Sequence, residues 1–303
     1  MTTRAAGELV SWTEVQDIEL VIVRRMREYM AGVHPSVFQG GGFEFAGLRD
    51  WQPGDRVTAI DWPQSTLTNF SPLVTREFEQ PSTARILIVA DTSLSTRCGA
   101  DGVPIATVIA RTVGTLALAG AFFQDQVGLI TFDQDARQLT VRPQVGKAHA
   151  IHCLDAYQDI VLGRSNHDPH RSDGSFAGLL RRTSMVPVVS DFLFDDHDAM
   201  LNELLALNAT HDVFLVLIDG RHAFELPGVS AGWVEGCDVE TGETRLLSSS
   251  DLRRIGARVR DWQDGVERRA RALGLEVLRL GASANRFHEQ VVEFLADRRM
   301  RKR

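Results

Sequence analysis

The sequence predicts an α/β protein: an open, mostly parallel sheet with helices on both faces, preceded by an N-terminal arm of helix and short strands. Apolar runs suited to buried strands recur from Arg85 onward, as RILIVA, QVGLITF, MVPVVS, DVFLVLI and LEVLRL. Stretches with apolar residues at helical spacing separate most of them, an alternation that belongs to parallel sheets covered on both sides. Two of the runs end on aspartate, Asp91 and Asp191, at the carboxyl end of a strand, where such sheets gather ligands.

The arm is assigned to residues 1–84. Within SWTEVQDIELVIVRRMREYM, residues Val15, Ile18, Ile22, Met26 and Met30 recur at helical spacing, and Ser11 with Glu14 makes a capping box. Pro35 and the glycines Gly40 to Gly42 break that helix. The segment FEFAGLRDWQPGDRVTAIDW is expected to form strand-like pieces around a turn at its PGD.

The sheet domain is assigned to residues 85–303. Helices are expected over residues 103–123, 196–209 and 284–298, the first with Ile105, Val108, Thr112, Leu116, Ala119 and Phe123 along one face. ARQLTVRP, reached through FDQDA, is expected to be an antiparallel edge strand. Pro187 removes a ladder donor from MVPVVS, and a bulge is the simplest repair. Residues 221–250 suggest an extra hairpin beside the sheet.

Composition narrows the function classes. The chain has 303 residues, 44% of them apolar, enough for a sizeable core. Its 33 basic and 40 acidic residues give a net charge of -7, which disfavours nonspecific binding to nucleic acid or to an anionic membrane. The terminal DRRMRKR is a local exception, read as a helix end that complements the dipole and frays into solvent. Cys98, Cys153 and Cys237 are far apart and form no CxxC pair, so a reduced cytoplasmic compartment is expected. The N-terminus lacks the apolar core of a signal peptide, and no run is expected to approach the length of a membrane span.

Asp91 opens the stretch DTSLST, which places hydroxyls at Ser93 and Ser95; Asp191 is preceded by Ser190. Carboxylates and hydroxyls without imidazole or thiolate suit a hard divalent cation, Mg2+ above all, with Mn2+ and Ca2+ as alternatives. Asp followed by Ser, Thr and Ser is also ordinary turn and cap material, so DxSxS gains weight only through its pairing with Asp191.

DTSLS followed by a helix, QVGLITF and VVSDF resembles the von Willebrand factor A domain with its metal-ion-dependent adhesion site. GGFEFAGLRDWQPGDRVTAIDW with LVTREFEQ resembles the signature of the bacterial domain of unknown function 58 family, in which it precedes an A-type domain. Together these cover roughly residues 38–220. The resemblance implies that Asp91, Ser93 and Ser95 form the first metal motif and Asp191 the third. For the second, normally a threonine, the counterpart is Ser175 in SDGSFAGLL, with Ser172 as its rival. Thr58, Ala59 and QSTLTN depart from positions that are often basic in relatives. The chain is similar to the short branch of the family without membrane helices, whose members are often linked with MoxR-type AAA+ ATPases.

Other sites are weaker. Asp195, Asp196 and Asp198 are read as N-terminal acids of the following helix. His149, His152 and Cys153 lack a fourth zinc ligand at a convincing spacing, and His167 and His170 look like loop residues. No GxxxxGK loop is present. Ser93 stands where an aspartyl-phosphate enzyme would need its second acid. Arg49, Asp55 and Asp61 are read as turn-forming and ion-pairing residues, and Trp51 and Trp62 as junction packing. The expected function is therefore a non-enzymatic module whose cation captures a partner's acidic side chain. The alternative is a metal-dependent hydrolase using Asp91 and Asp191, for which no general base can be named; a scaffold without an ion is a third reading.

Overall fold

The structure is a computed structural model. It describes residues 8–32, 44–53, 55, 57–79, 84–100, 103–133, 137–164, 175–224, 232–237, 243–281 and 286–301. The chain divides into two compact units, Met1–Met26 with Ala84–Arg303, and Arg27–Thr83. The first division falls inside helix α1 (Trp12–Gly32), so most of that helix belongs with the sheet, where the sequence suggested a single arm to residue 84. Ser11 Oγ accepts from Glu14 N at 3.3 Å, while the Glu14 carboxylate pairs with Arg111.

In the smaller unit, β1 (Glu44–Asp50) pairs antiparallel with β2 (Val74–Glu79). Between them lie a 3-10 turn at Val57–Ala59 and the short helix α2 (Trp62–Leu67). The piece after the PGD turn is thus helical, with Ile60 alone bridging to Thr75, because Asp61 caps α2 through a 3.2 Å bond from Gln64 N. Arg49 grips Asp55 through two hydrogen bonds of 2.7 and 2.8 Å, and Gln52 N donates to the same carboxylate. That guanidinium holds the Asp55 carboxyl down at about 2, so Arg49, Gln52 and Asp55 are fastened together. Trp62, expected in packing, is half exposed.

The larger unit is built on β3 (Arg85–Asp91), β6 (Gln126–Phe132), β7 (Arg137–Gln144), β8 (Met185–Ser190), β9 (Asp212–Ile218) and β12 (Glu276–Leu280), in the order β12-β9-β8-β3-β6-β7. All neighbours are parallel except β7, the antiparallel edge strand expected from ARQLTVRP. The turn FDQDA falls partly outside the described residues. Two small hairpins stand apart from this sheet, β4 (Gly99–Ala100) with β5 (Val103–Pro104), and β10 (Trp233–Cys237) with β11 (Thr244–Ser248). The second is the extra hairpin expected between residues 221 and 250. Pro187 produces no bulge: β8 keeps one register on β9 throughout and the same register on β3, whose pairing skips Val186 and Pro187. The lost donor is absorbed as a gap in one ladder.

Alternation along the strands divides the core. Leu87, Val89, Val186, Val188 and Leu215 join α6 (His197–Asn208) and α7 (Ser249–Ala272) on one face. α3 (Ile105–Phe122), α4 (Lys147–Val161) and α8 (Phe287–Arg301) pack on the other. α3 is long and apolar enough to cross a membrane, against the expectation, but 89% of it is buried inside the fold. It lies close on the sheet: a Cβ at Gly120 would meet Val127 Cγ2 at 2.7 Å and Ile86 Cδ1 at 2.9 Å.

α7 follows a capping box in which Ser248 and Asp251 exchange hydrogen bonds; it was not expected from the sequence. Within the terminal basic run, Arg298 departs from the reading of a solvated end, and Lys302 and Arg303 lie outside the described residues. Arg298 is buried, bonds the Asp212 carboxylate and Glu276, and lies 4.7 Å over the Phe214 ring, so it fastens α8 to the sheet.

Candidate functional site

β3 and β8 are parallel neighbours with Ala90 opposite Val189, so the residues that follow leave the sheet together at its carboxyl end. This brings Asp91 and Asp191 into one buried site, both at most 1% exposed. Asp91 is held from three directions. Its Oδ2 accepts from Ser190 Oγ at 2.5 Å, its Oδ1 from Ser93 N at 2.9 Å, and its main-chain oxygen from Tyr157 OH at 2.9 Å. A 3-10 turn over Leu94–Arg97 then folds DTSLST back, and the Ser93 and Ser95 hydroxyls lie 3.0 Å apart. Thr92 donates through N and Oγ1 to Phe132 O, fixing the turn to β6.

Asp191 is less engaged. Its Oδ1 accepts from Leu193 N at 3.1 Å, while its Oδ2 is buried without a hydrogen-bond partner. Phe192 takes a left-handed conformation, φ 54°, which non-glycine residues rarely adopt. α7 holds this turn: Trp262 Nε1 donates to Phe192 O at 2.9 Å, and Gln263 Nε2 donates to Asp191 O and Ile218 O, each at 2.8 Å.

The electrostatics follow from burial. Loss of hydration pushes the Asp191 carboxyl up to about 7, with the Asp91 charge adding to the rise. Burial also raises Asp91, opposed by the Ser190 and Ser93 hydrogen bonds and assisted by Asp133. Tyr157 is pushed well above its ordinary value by burial and by both aspartates, and so remains a donor. Among the described residues no cationic side chain bonds either carboxylate, and two such buried acids are costly. The orphan Asp191 Oδ2, the second carboxylate and the serine hydroxyls of DTSLST are all oxygen donors, the kind that suits a hard divalent cation.

The other sequence candidates lie elsewhere. Ser175 is exposed at the start of the short helix α5 (Phe176–Leu179), and its hydroxyl makes no capping bond. Among the described residues, no hydrogen bond joins it to Asp91, Ser93, Ser95 or Asp191; its neighbour Phe176 packs on Phe132. Ser172, His167 and His170 lie outside the described residues. Asp198 pairs with Arg269 of α7, and Asp196 precedes α6 without a side-chain cap. His149 Nε2 lies 3.1 Å from Val127 O and 3.0 Å from Arg142 O, and Cys153 is buried, as a packed helix face requires. Among the described residues, no group of three or more His, Cys, Asp or Glu could hold a metal.

Tyr157, Asp133, Trp262 and Gln263 were not found from the sequence. Asp133 had a usable signal, since it follows the end of QVGLITF as Asp91 ends RILIVA. Tyr157 and Gln263 act over 66 and 72 residues of chain, with no local pattern to mark them.

No curated protein matches the chain. Among solved structures, it is similar to the conserved hypothetical protein BatB from Bacteroides thetaiotaomicron, at 14% identity and TM-score 0.43, over 73% of this chain and 100% of that one. An aerotolerance-related membrane protein from Bacteroides fragilis, crystallised with multiple mutations to serine, matches at 13% identity and TM-score 0.40, over 69% and 99%. An uncharacterised membrane-spanning protein from Vibrio fischeri matches at 16% identity and TM-score 0.20, over 72% and 98%. A family model matches residues 47–264, most of both units, and on that ground the chain belongs to the family described as protein of unknown function DUF58.

Proposed function

We propose that this chain is a non-enzymatic protein-interaction module with a von Willebrand factor A-like domain, whose adhesion site holds a divalent cation, Mg2+ in the first place. Asp91, Ser93, Ser95 and Asp191 would hold the ion, with Ser175 as the candidate from the intervening loop. The observation that carries this reading is the pair of buried aspartates at neighbouring strand ends, one with an unpartnered oxygen. A cation there would relieve both the mutual repulsion and the orphaned atom. Serine hydroxyls are neutral ligands and quench less of the ion's charge than carboxylates would, which favours entry of an acidic side chain from a partner. Resemblance to the short family branch supports a MoxR-type AAA+ ATPase as that partner.

Isothermal titration of the full chain with Mg2+ and with Mn2+ tests the ion. Binding heat in the wild type that is lost in Asp91→Ala supports the reading; equal heats in the two proteins reject it. Affinity capture from native lysate, with and without chelator, tests the partner. Recovery of an AAA+ ATPase only with Mg2+ present is the expected result. Recovery under both conditions detaches the ion from recognition.

A further inference from the structure

The turn after β8 has each polar side-chain atom of residues 190 and 191 committed except Asp191 Oδ2. Ser190 Oγ donates to Asp91 and accepts from Phe192 N, and Asp191 Oδ1 accepts from Leu193 N. Its main-chain carbonyls are held by two consecutive residues of one helix. Neighbouring residues on a helix point about 100° apart, so Trp262 and Gln263 reach the turn from different sides. Gln263 is fully buried; it bonds the carbonyls of Asp191 and Ile218, and its Oε1 accepts from Gly220 N at 3.4 Å. Both ends of the amide are used, which is the condition for burying it. Trp262 remains 38% exposed, with its ring 4.7 Å from that of His197.

The last helix, α8, is anchored differently. Arg298 ties it to Asp212 and Glu276, the first residues of β9 and β12, at the end of the strands away from the aspartates. Left-handed Phe192 is a strained conformation that persists where its surroundings over-determine it. Here the surroundings that do so include α7.

We infer that Gln263 and Trp262 are positioning residues that aim the free oxygen of Asp191, and that α7 registers whether the site is filled. The inference rests on the cation reading of Asp91 and Asp191. Turning the Asp191 carboxylate toward an ion shifts the peptide groups of residues 191 and 192. Both carbonyls are bonded to α7, so the shift reaches the indole at the surface.

The test uses the full chain with Mg2+ alone as the probe. In a variant carrying Trp12→Phe, Trp51→Phe, Trp62→Phe and Trp233→Phe, only Trp262 remains to fluoresce. Its emission is expected to change along the calorimetric binding curve, and deuterium uptake by residues 249–272 of the wild type to change with it. Gln263→Met is expected to weaken Mg2+ binding by roughly 10–100-fold, the usual cost of losing a partner behind a metal ligand, with an unaltered circular dichroism spectrum. Binding heat in the wild type with unchanged Trp262 emission and unchanged uptake would overturn the inference while leaving the cation site intact. Wild-type heat with equal affinity in Gln263→Met would overturn it as well. Absence of heat in the wild type rejects the cation reading itself. If Gln263→Met does not fold, emission and uptake decide, since both are measured with Gln263 in place.

Discussion

Ser190 and Asp91 stand 99 residues apart in the chain, and the serine hydroxyl donates a 2.5 Å hydrogen bond to the aspartate Oδ2. The bond closes the seam between β8 and β3 at the carboxyl end of the sheet. The same hydroxyl accepts from Phe192 N, so one oxygen ties Asp91 to the turn that follows β8. Ser190→Ala removes the donor and leaves a fully buried carboxylate oxygen unpaired. Urea denaturation at neutral pH without divalent cations should show a loss of about 1–3 kcal/mol. A change within experimental error would show that the bond does not matter to the fold.

The pH dependence that Asp191 confers has an unusual sign for a carboxylate. Asp191 is raised to about 7, so between its unfolded value near 3.8 and 7 the folded protein holds the extra proton. Stability from this group is therefore fully present at low pH and lost as pH rises through that window. Subtracting Asp191→Asn from wild type isolates it from the carboxylates that are lowered, such as Asp55 and Asp264. Without cation, the variant should gain on the wild type between about pH 4 and pH 7, by a few kcal/mol at most at ~1.4 kcal/mol per pKa unit. A constant difference across that range would contradict the assignment.

The cation should act in the opposite direction. Ligands must shed protons before binding, so Mg2+ affinity measured by calorimetry should rise between about pH 5 and pH 8, with proton release detectable in buffers of different ionisation enthalpy. An affinity independent of pH would place the ion away from Asp191.

Arg298 gives a prediction free of the site. Its guanidinium donates to both oxygens of Asp212 at 3.0 and 3.1 Å and also reaches Glu276, inside the packed junction of α8 with the sheet. Arg298→Met keeps much of the volume and removes the buried guanidinium from a poorly hydrated carboxylate. The expected loss is about 3–5 kcal/mol in urea. A double variant with Asp212→Asn should recover part of it, whereas a solvated, frayed terminus would show neither effect.

Cys153 is buried on α4, and burial pushes its thiol up to about 12. It should resist alkylation in the folded protein and react once the chain is unfolded in denaturant. Labelling of Cys153 under native conditions would show that α4 opens more readily than its packing implies.

The strands and the two aspartates were legible because each rests on a local pattern. An apolar run of the right length ending in a carboxylate declares itself within seven residues, as RILIVAD does. What sequence reading missed depends on partners far along the chain. α7 was hidden because most of its residues are polar or charged, with four buried side chains, Leu252, Gln263, Val266 and Ala270. Gln263 in isolation looks like any surface amide; it is buried because two strand-end carbonyls lie above it. Pro187 misled for a related reason, since whether a missing donor forces a bulge depends on the neighbouring strand.

Sixteen of the eighteen residues of α3 are buried, among them alanines, threonines and both glycines. Small side chains let sheet and helices close in on it from all sides, and a rod gripped all round can neither slide nor roll without opening voids. α3 is thus the keel of the molecule. Any movement within this unit must take place in the parts arranged around this spine, and a polar graft anywhere along it should cost the sheet domain its fold.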